Sequence, residues 1–132
     1  MSRRKAREIA FKILFQVDQI NADPQTAFDL LLAETPLQEK DQLFSWELIR
    51  NTLQHLDEID ALLSKHSDYW LIKHFPAVDR SIMRVASCEI VFMNPAQAVV
   101  AIDEAIEIAK RYGDESSAGF INAVLDKVFG GL

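Results

Sequence analysis

The sequence predicts an all-α fold. Three observations carry that expectation. Apolar residues recur at i, i+3, i+4 spacing along most of the 132 residues, the signature of amphipathic helices. Only 4 Gly and 4 Pro occur, and they sit at the breaks between those patterns. No stretch alternates apolar and polar positions with β-branched side chains, as a half-buried strand does.

The first helix runs from about Arg3 to Ile20, with Ala6, Ile9, Ala10, Ile13, Leu14, Val17 and Ile20 on one face. Asp23-Pro24 reads as an N-cap followed by Pro at the first helical position, opening a short helix that closes before Thr35-Pro36. A third helix spans roughly Gln38 to Gln54 with Phe44, Leu48 and Ile49 inward. A fourth, about Leu56 to Lys65, carries Ile59, Leu62 and Leu63. Pro76 restarts the chain, and Val78, Ile82, Val85, Ala86, Ile90 and Met93 make one long central helix. Asn94-Pro95 breaks it and begins the next, with Ile102, Ala105, Ile106 and Ala109 inward, ending at Gly113 as a C′ glycine. Asp114-Glu115-Ser116-Ser117 supplies the cap of the last helix, which runs through Phe120, Ile121, Val124, Leu125 and Val128 to Gly130-Gly131. There is no internal repeat, low-complexity tract or linker, so residues 1–132 read as one domain. A loose division near residue 75 separates an N-terminal half, 1–75, from a C-terminal half, 76–132.

A chain of this length buries about 68% of its unfolded surface and needs no metal or disulfide staple. Hydrophobic residues make up 49% and charged residues 26%, which excludes whole-chain disorder. Cys88 is the single cysteine, which excludes a disulfide scaffold and suits a reducing, cytoplasmic compartment. The longest purely apolar run, Ala98 to Ile102, is far short of a membrane span. Glu8, Lys12, Gln16 and Asp18 interrupt the first helix, so it is no signal-peptide core and the protein is expected to stay where it is made.

The formal charge of −6 hides an asymmetry: residues 1–12 carry +4 and the remaining 120 carry −10. An acidic body with a basic end repels nucleic acid in general and docks phosphates locally. On the first helix, Arg4, Arg7, Phe11, Phe15 and Asp18 fall opposite the core face. Two phenylalanines there need cover, either from a second layer of the same protein or from a partner. With the arginines they make a basic-aromatic strip suited to single-stranded nucleic acid. The start of the last helix offers Ser116 and Ser117 hydroxyls, free backbone N–H groups and Phe120 one turn on, the makings of an anion site. Capping and core packing explain the same residues.

Catalytic chemistry is not indicated. There is no Gly-rich phosphate loop. His55, His66 and His74 lack metal spacing, and Cys88 sits mid-helix among apolar neighbours as an inert thiol. Asp103, Glu104 and Glu107 read as a solvated helix face. Glu89, near Val78, Ile82 and Val85, reads as a buried acid held by a hydrogen bond or ion pair. The expectation is a protein with no enzymatic activity, metal or cofactor.

Four stretches together resemble the NusB family of transcription antitermination factors. They are Arg3-Arg4-Lys5-Ala6-Arg7-Glu8 leading to Ile13-Leu14-Phe15; Val78 to Ala86 with Glu89-Ile90; Ile102 to Gly113; and Phe120 to Lys127. The match covers nearly the whole chain in order and spacing. The resemblance implies two small helical bundles, about seven helices in all, with the first helix contacting both. It implies binding of boxA-type RNA together with NusE, a small-subunit ribosomal protein, to nucleate a complex on RNA polymerase that resists termination, notably in ribosomal RNA synthesis. Carried over by position, Arg3, Arg4, Lys5, Arg7, Ser116 and Phe120 contact RNA, while Phe15 and Asp79 face NusE. The chain departs from the family pattern at Ser116, where an acid is common, at Gly119, where a base is common, and at Ala123, where Gly is usual.

Two rivals stand beside that reading. One is a protein–protein adaptor of the same fold with little RNA affinity, which the departures favour. The other is a detached accessory of an RNA methyltransferase, since 132 residues leave no room for a nucleotide-binding catalytic domain. A DNA-reading helix-turn-helix would want a basic recognition helix, and the last helix is not basic. Either a monomer or a homodimer fits.

Overall fold

The computed structural model describes residues 2–67 and 72–132. Among them are seven α-helices and no strand: α1 Ser2–Ile20, α2 Pro24–Glu34, α3 Glu39–Gln54, α4 Leu56–Lys65, α5 Ala77–Cys88, α6 Ala98–Tyr112 and α7 Ser117–Gly130. None of the described helices is long and apolar enough to cross a membrane.

Local chemistry sets most boundaries. α1 ends at Asn21, whose backbone is left-handed (φ 53°), a conformation Asn tolerates better than most residues, and its N–H closes on Val17 at 3.0 Å. Asp23 caps α2 as the sequence predicts: its Oδ2 accepts from the Thr26 N–H at 3.0 Å and the Thr26 hydroxyl at 2.7 Å.

The central helix is not uniform. After Cys88 it widens into a π-turn, Glu89–Met93, in which the Asn94 N–H reaches back to the Glu89 carbonyl at 2.8 Å. Pro95 has no N–H to continue the ladder, and a short tight turn, Pro95–Gln97, precedes α6.

Gly113 ends α6, but not as a left-handed C′ residue. Its backbone is extended, φ −91° and ψ −174°. Glycine is needed there for space: a Cβ would lie 2.4 Å from Ser117 Oγ and 2.9 Å from the Ala109 carbonyl oxygen. The close approach lets Ser117 Oγ accept from the Asp114 N–H at 3.0 Å and donate to Asp79 at 2.7 Å, tying the α6–α7 turn to α5.

Two cores share α1. Ile9, Ala10, Ile13 and Leu14 pack with Ala27, Phe28, Leu48 and Ile49 of α2 and α3, and with Val85 of α5. Phe11, on the other side of α1, joins a larger core with Ile82, Met83, Ile102, Ala105, Ile121 and Leu125. α1 is therefore sandwiched, and the protein's own second layer covers Phe11. The second core also takes Ile59 and Leu63 of α4. The packing boundary thus falls between α3 and α4, not near residue 75, because the apolar stripe of α4 faces α5 and α7.

Charge ties reinforce the joint. Asp18 of α1 accepts from Arg80 at 2.5 Å and Arg84 at 3.2 Å, and Arg84 makes a two-pronged pair with Asp60 of α4, both bonds 2.8 Å. Burial alone would raise the Asp18 carboxyl; the Arg80 hydrogen bond, helped by Gln19 and the Arg84 charge, holds it below the usual carboxylate range.

Candidate nucleic-acid interface

The N-terminus of α1 presents its bases unequally. Arg3 is half-exposed, with its guanidinium 4.0 Å above the Phe44 ring and its Nε 3.6 Å from Asp41. Arg4 is exposed and holds Glu104 of α6 through Nε at 2.9 Å and Nη2 at 3.1 Å. Lys5 is exposed beside them. An exposed pair such as Arg4–Glu104 contributes little to stability. Arg4 can therefore exchange Glu104 for a phosphate at small cost.

Arg7, expected on this surface, lies inside. Its side chain is 7% exposed and Glu89 is 2% exposed, and the guanidinium donates to both carboxylate oxygens at 2.8 and 2.7 Å. Glu89 is thus the ion-paired acid that the sequence suggested. With Arg7 and Phe11 buried, the basic-aromatic strip divides. Arg3, Arg4 and Lys5 form its basic end, and Phe15, partly buried, lies about three turns further along α1. The cause is a helix with two buried faces, which a single-face reading of α1 does not accommodate.

Phe15 borders a shallow apolar groove of about 280 Å³ with Phe11, Lys12, Gln16, Val78 and Tyr112. One residue beyond Val78, Asp79 faces a different space. That cleft, of about 500 Å³, lies between the end of α4 and α7 and is lined by His66, Phe75, Asp79, Ser116, Phe120 and Lys127 among others. Asp79 is 3% exposed, not the open rim charge read from the sequence, and accepts from Ser117. Burial, with Asp114 nearby, raises its carboxyl above the usual range against the lowering effect of Ser117. An acid kept ionised at a cost suits a role other than stability. Asp79→Asn keeps the Ser117 bond and removes that cost. The variant should unfold at a higher temperature than the parent at neutral pH. The advantage should begin to shrink as pH falls through the raised folded-state pKa and be gone below the ordinary carboxylate range, where both states are protonated. Thermal unfolding across that pH range checks it.

Phe120 is half-buried at the cleft, edge-on to Phe75 with centroids 5.2 Å apart. Ser116 is exposed, but its N–H and hydroxyl both donate to Asp114 Oδ1, at 2.9 and 2.8 Å. Ser116 is the N-cap of α7 but makes no side-chain cap bond; Asp114, just ahead of the helix, engages its N–H and hydroxyl instead.

Cys88 is fully buried and its thiol is pushed up to about 11 by burial, which leaves it unreactive at neutral pH. His55 stacks flat on Phe92, 4.1 Å between centroids.

Two residues that the sequence did not bring to this end complete it. Glu104, read as a solvated acid, meets Arg4, and Arg111 of the last turn of α6 donates to Glu8 at 2.9 Å. Separations of 100 and 103 residues hide both pairs from local patterns.

Known proteins match this arrangement along its length. The NusB family model matches residues 4–129. The chain is 57% identical over 130 residues to the transcription antitermination protein NusB of Syntrophomonas wolfei subsp. wolfei, covering 98% of this chain and 97% of that protein. It is 44% identical over 130 residues to the same-named protein of Desulfitobacterium hafniense strain Y51, covering 97% and 88%. Among solved structures, T. maritima NusB superposes with a TM-score of 0.88 at 36% identity, covering 97% of this chain and 90% of that one. A chain from a crystal structure of antitermination factors NusB and NusE in complex with dsRNA shares the fold, with a TM-score of 0.91 at 23% identity over 99% and 98% of the two chains. The chain belongs to the NusB family of non-catalytic transcription antitermination factors.

Proposed function

We propose that this protein binds boxA-type single-stranded RNA jointly with the ribosomal protein NusE, and so nucleates an antitermination complex on RNA polymerase in the cytoplasm, notably during ribosomal RNA synthesis. The observation that carries the reading is the cluster of Arg3, Arg4 and Lys5 on the exposed N-terminus of α1, on an otherwise acidic chain. Like charge keeps RNA off the rest of the molecule, so the backbone docks at this end. Phe120, partly open at its cleft, offers a ring on which an unstacked base can rest, with Ser116 at the rim. A chain of the same fold occurs with NusE and dsRNA, which supports the choice of partners. Arg7 serves the surface indirectly, by fixing α1 to Glu89.

The NusE side is the groove at Phe15; Asp79, which the resemblance places there too, is buried at the Phe120 cleft and bears on that side only by tying α5 to α7 through Ser117. A protein-only adaptor is the second reading. It is favoured by the α7 start, where Asp114 occupies the N–H and hydroxyl of Ser116 and Gly119 adds no base. The test is the double variant Arg4→Ala/Lys5→Ala. On single strands each neutralised phosphate contributes about −0.7 to the slope of log K against log salt, so the variant should flatten it by about 1.4. A parental slope in the double variant would favour the protein-only adaptor.

A further inference from the structure

The basic end of α1 continues into a groove that crosses to another helix. Its walls are Arg4, Lys5 and Glu8 of α1, the connection Pro36–Gln38 and Arg111 of α6, enclosing about 360 Å³. Three bases face one acid there, and the acid is already engaged. Glu8 is buried and accepts from the Tyr112 hydroxyl and from Arg111 Nη1 at 2.9 Å, with Lys12 Nζ 3.7 Å away. Burial would raise its carboxyl, but the Tyr112 bond and the Arg111 and Lys12 charges hold it below the usual range, so Glu8 stays ionised and keeps its partners.

Arg111 is 56% exposed. Among the described residues, Glu8 is its hydrogen-bond partner, through one nitrogen of a group that carries five donors. That bond to a buried acid biases its rotamer before any ligand arrives, while most of its donors stay available. Fixing a long side chain in advance lowers the ordering cost of binding. The guanidinium fork matches the oxygens of a phosphate.

We infer that Arg111, positioned by Glu8, is a phosphodiester contact for single-stranded RNA, so that the strand runs from the start of α1 across this groove to the end of α6. The inference rests on the RNA-binding reading given above. A purely structural role is the competing account: a cation in the last turn of a helix complements the helix dipole, and the Glu8 pair ties α6 to α1.

Titration of a labelled single-stranded boxA-type RNA against salt separates the two accounts. Arg111→Gln keeps a donor toward Glu8 and loses the charge. Its slope should flatten by about 0.7, which at 0.1 M salt is about a fivefold loss of affinity. Arg111→Lys should retain the slope. In the parent protein, bound RNA should protect Arg111 from phenylglyoxal modification, read by mass spectrometry, a measurement that needs no variant to fold. An unchanged slope in Arg111→Gln, or unprotected Arg111, overturns the inference. It leaves RNA binding intact if Arg4→Ala/Lys5→Ala still flattens the slope. If neither variant moves the slope, the RNA reading falls and this contact with it.

Discussion

Arg7→Ala is expected to cost the free protein about 3–5 kcal/mol of stability, because it strands Glu89 as a buried charge with no counter-ion. For a domain of this size that lowers the midpoint of thermal unfolding by on the order of 10–20 °C. The site is closed to water on both sides of the pair, so little solvent is at hand to rescue the carboxylate. The contrast lies in removing both partners. Arg7→Met with Glu89→Leu replaces the pair by apolar groups of similar volume and should be near neutral or stabilising. Thermal or urea unfolding of the two variants decides the point. A small loss in the single variant would mean that the pair is solvated in solution. The double variant also bears on RNA: with α1 still anchored, its salt slope should match the parent's, since Arg7 neutralises no phosphate in this account.

Phe120→Ala should show its largest effect in RNA affinity. Loss of a base-stacking ring costs about 1–3 kcal/mol, roughly five- to 150-fold, and leaves the salt slope unchanged because no charge is removed. Its effect on stability should be smaller than that of a fully buried ring, since one side of Phe120 is open to the cleft and its aromatic contact is the edge of Phe75. Phe11→Ala is the control. Phe11 is in the core between α1 and α6 and should lose about 3–5 kcal/mol. RNA binding at parental affinity by a folded Phe120→Ala protein would remove the stacking role.

Local chemistry was legible where it acts locally. Asp23-Pro24 marks the start of α2 because both residues work within one turn, and the spacing of Ile9, Ile13 and Leu14 marks an inner face of α1. What escaped was set by distant parts of the chain. Arg7 looks like a surface residue until a second bundle covers that face, and only that bundle decides between the two covers open to Phe11. The π-turn at Glu89 has no periodic signature, and it begins at the residue held by Arg7. Gly113 carries the composition of a left-handed cap, yet it is there for the clearance of Ser117. At the interface, Arg3, Arg4 and Lys5 stood out by charge alone, whereas Glu8 and Arg111 meet only through the fold.

On the proposed reading, the α1 terminus docks RNA and NusE completes the binding surface. The direct test is a titration of boxA-type single-stranded RNA with the parent protein, alone and with NusE, at two salt concentrations. Expected are weak binding alone, marked tightening with NusE, and a slope of log K against log salt for the protein alone of about −2 to −3, from Arg3, Arg4 and Lys5 with Arg111. Affinity that ignores salt, or RNA binding that NusE does not tighten, would contradict it.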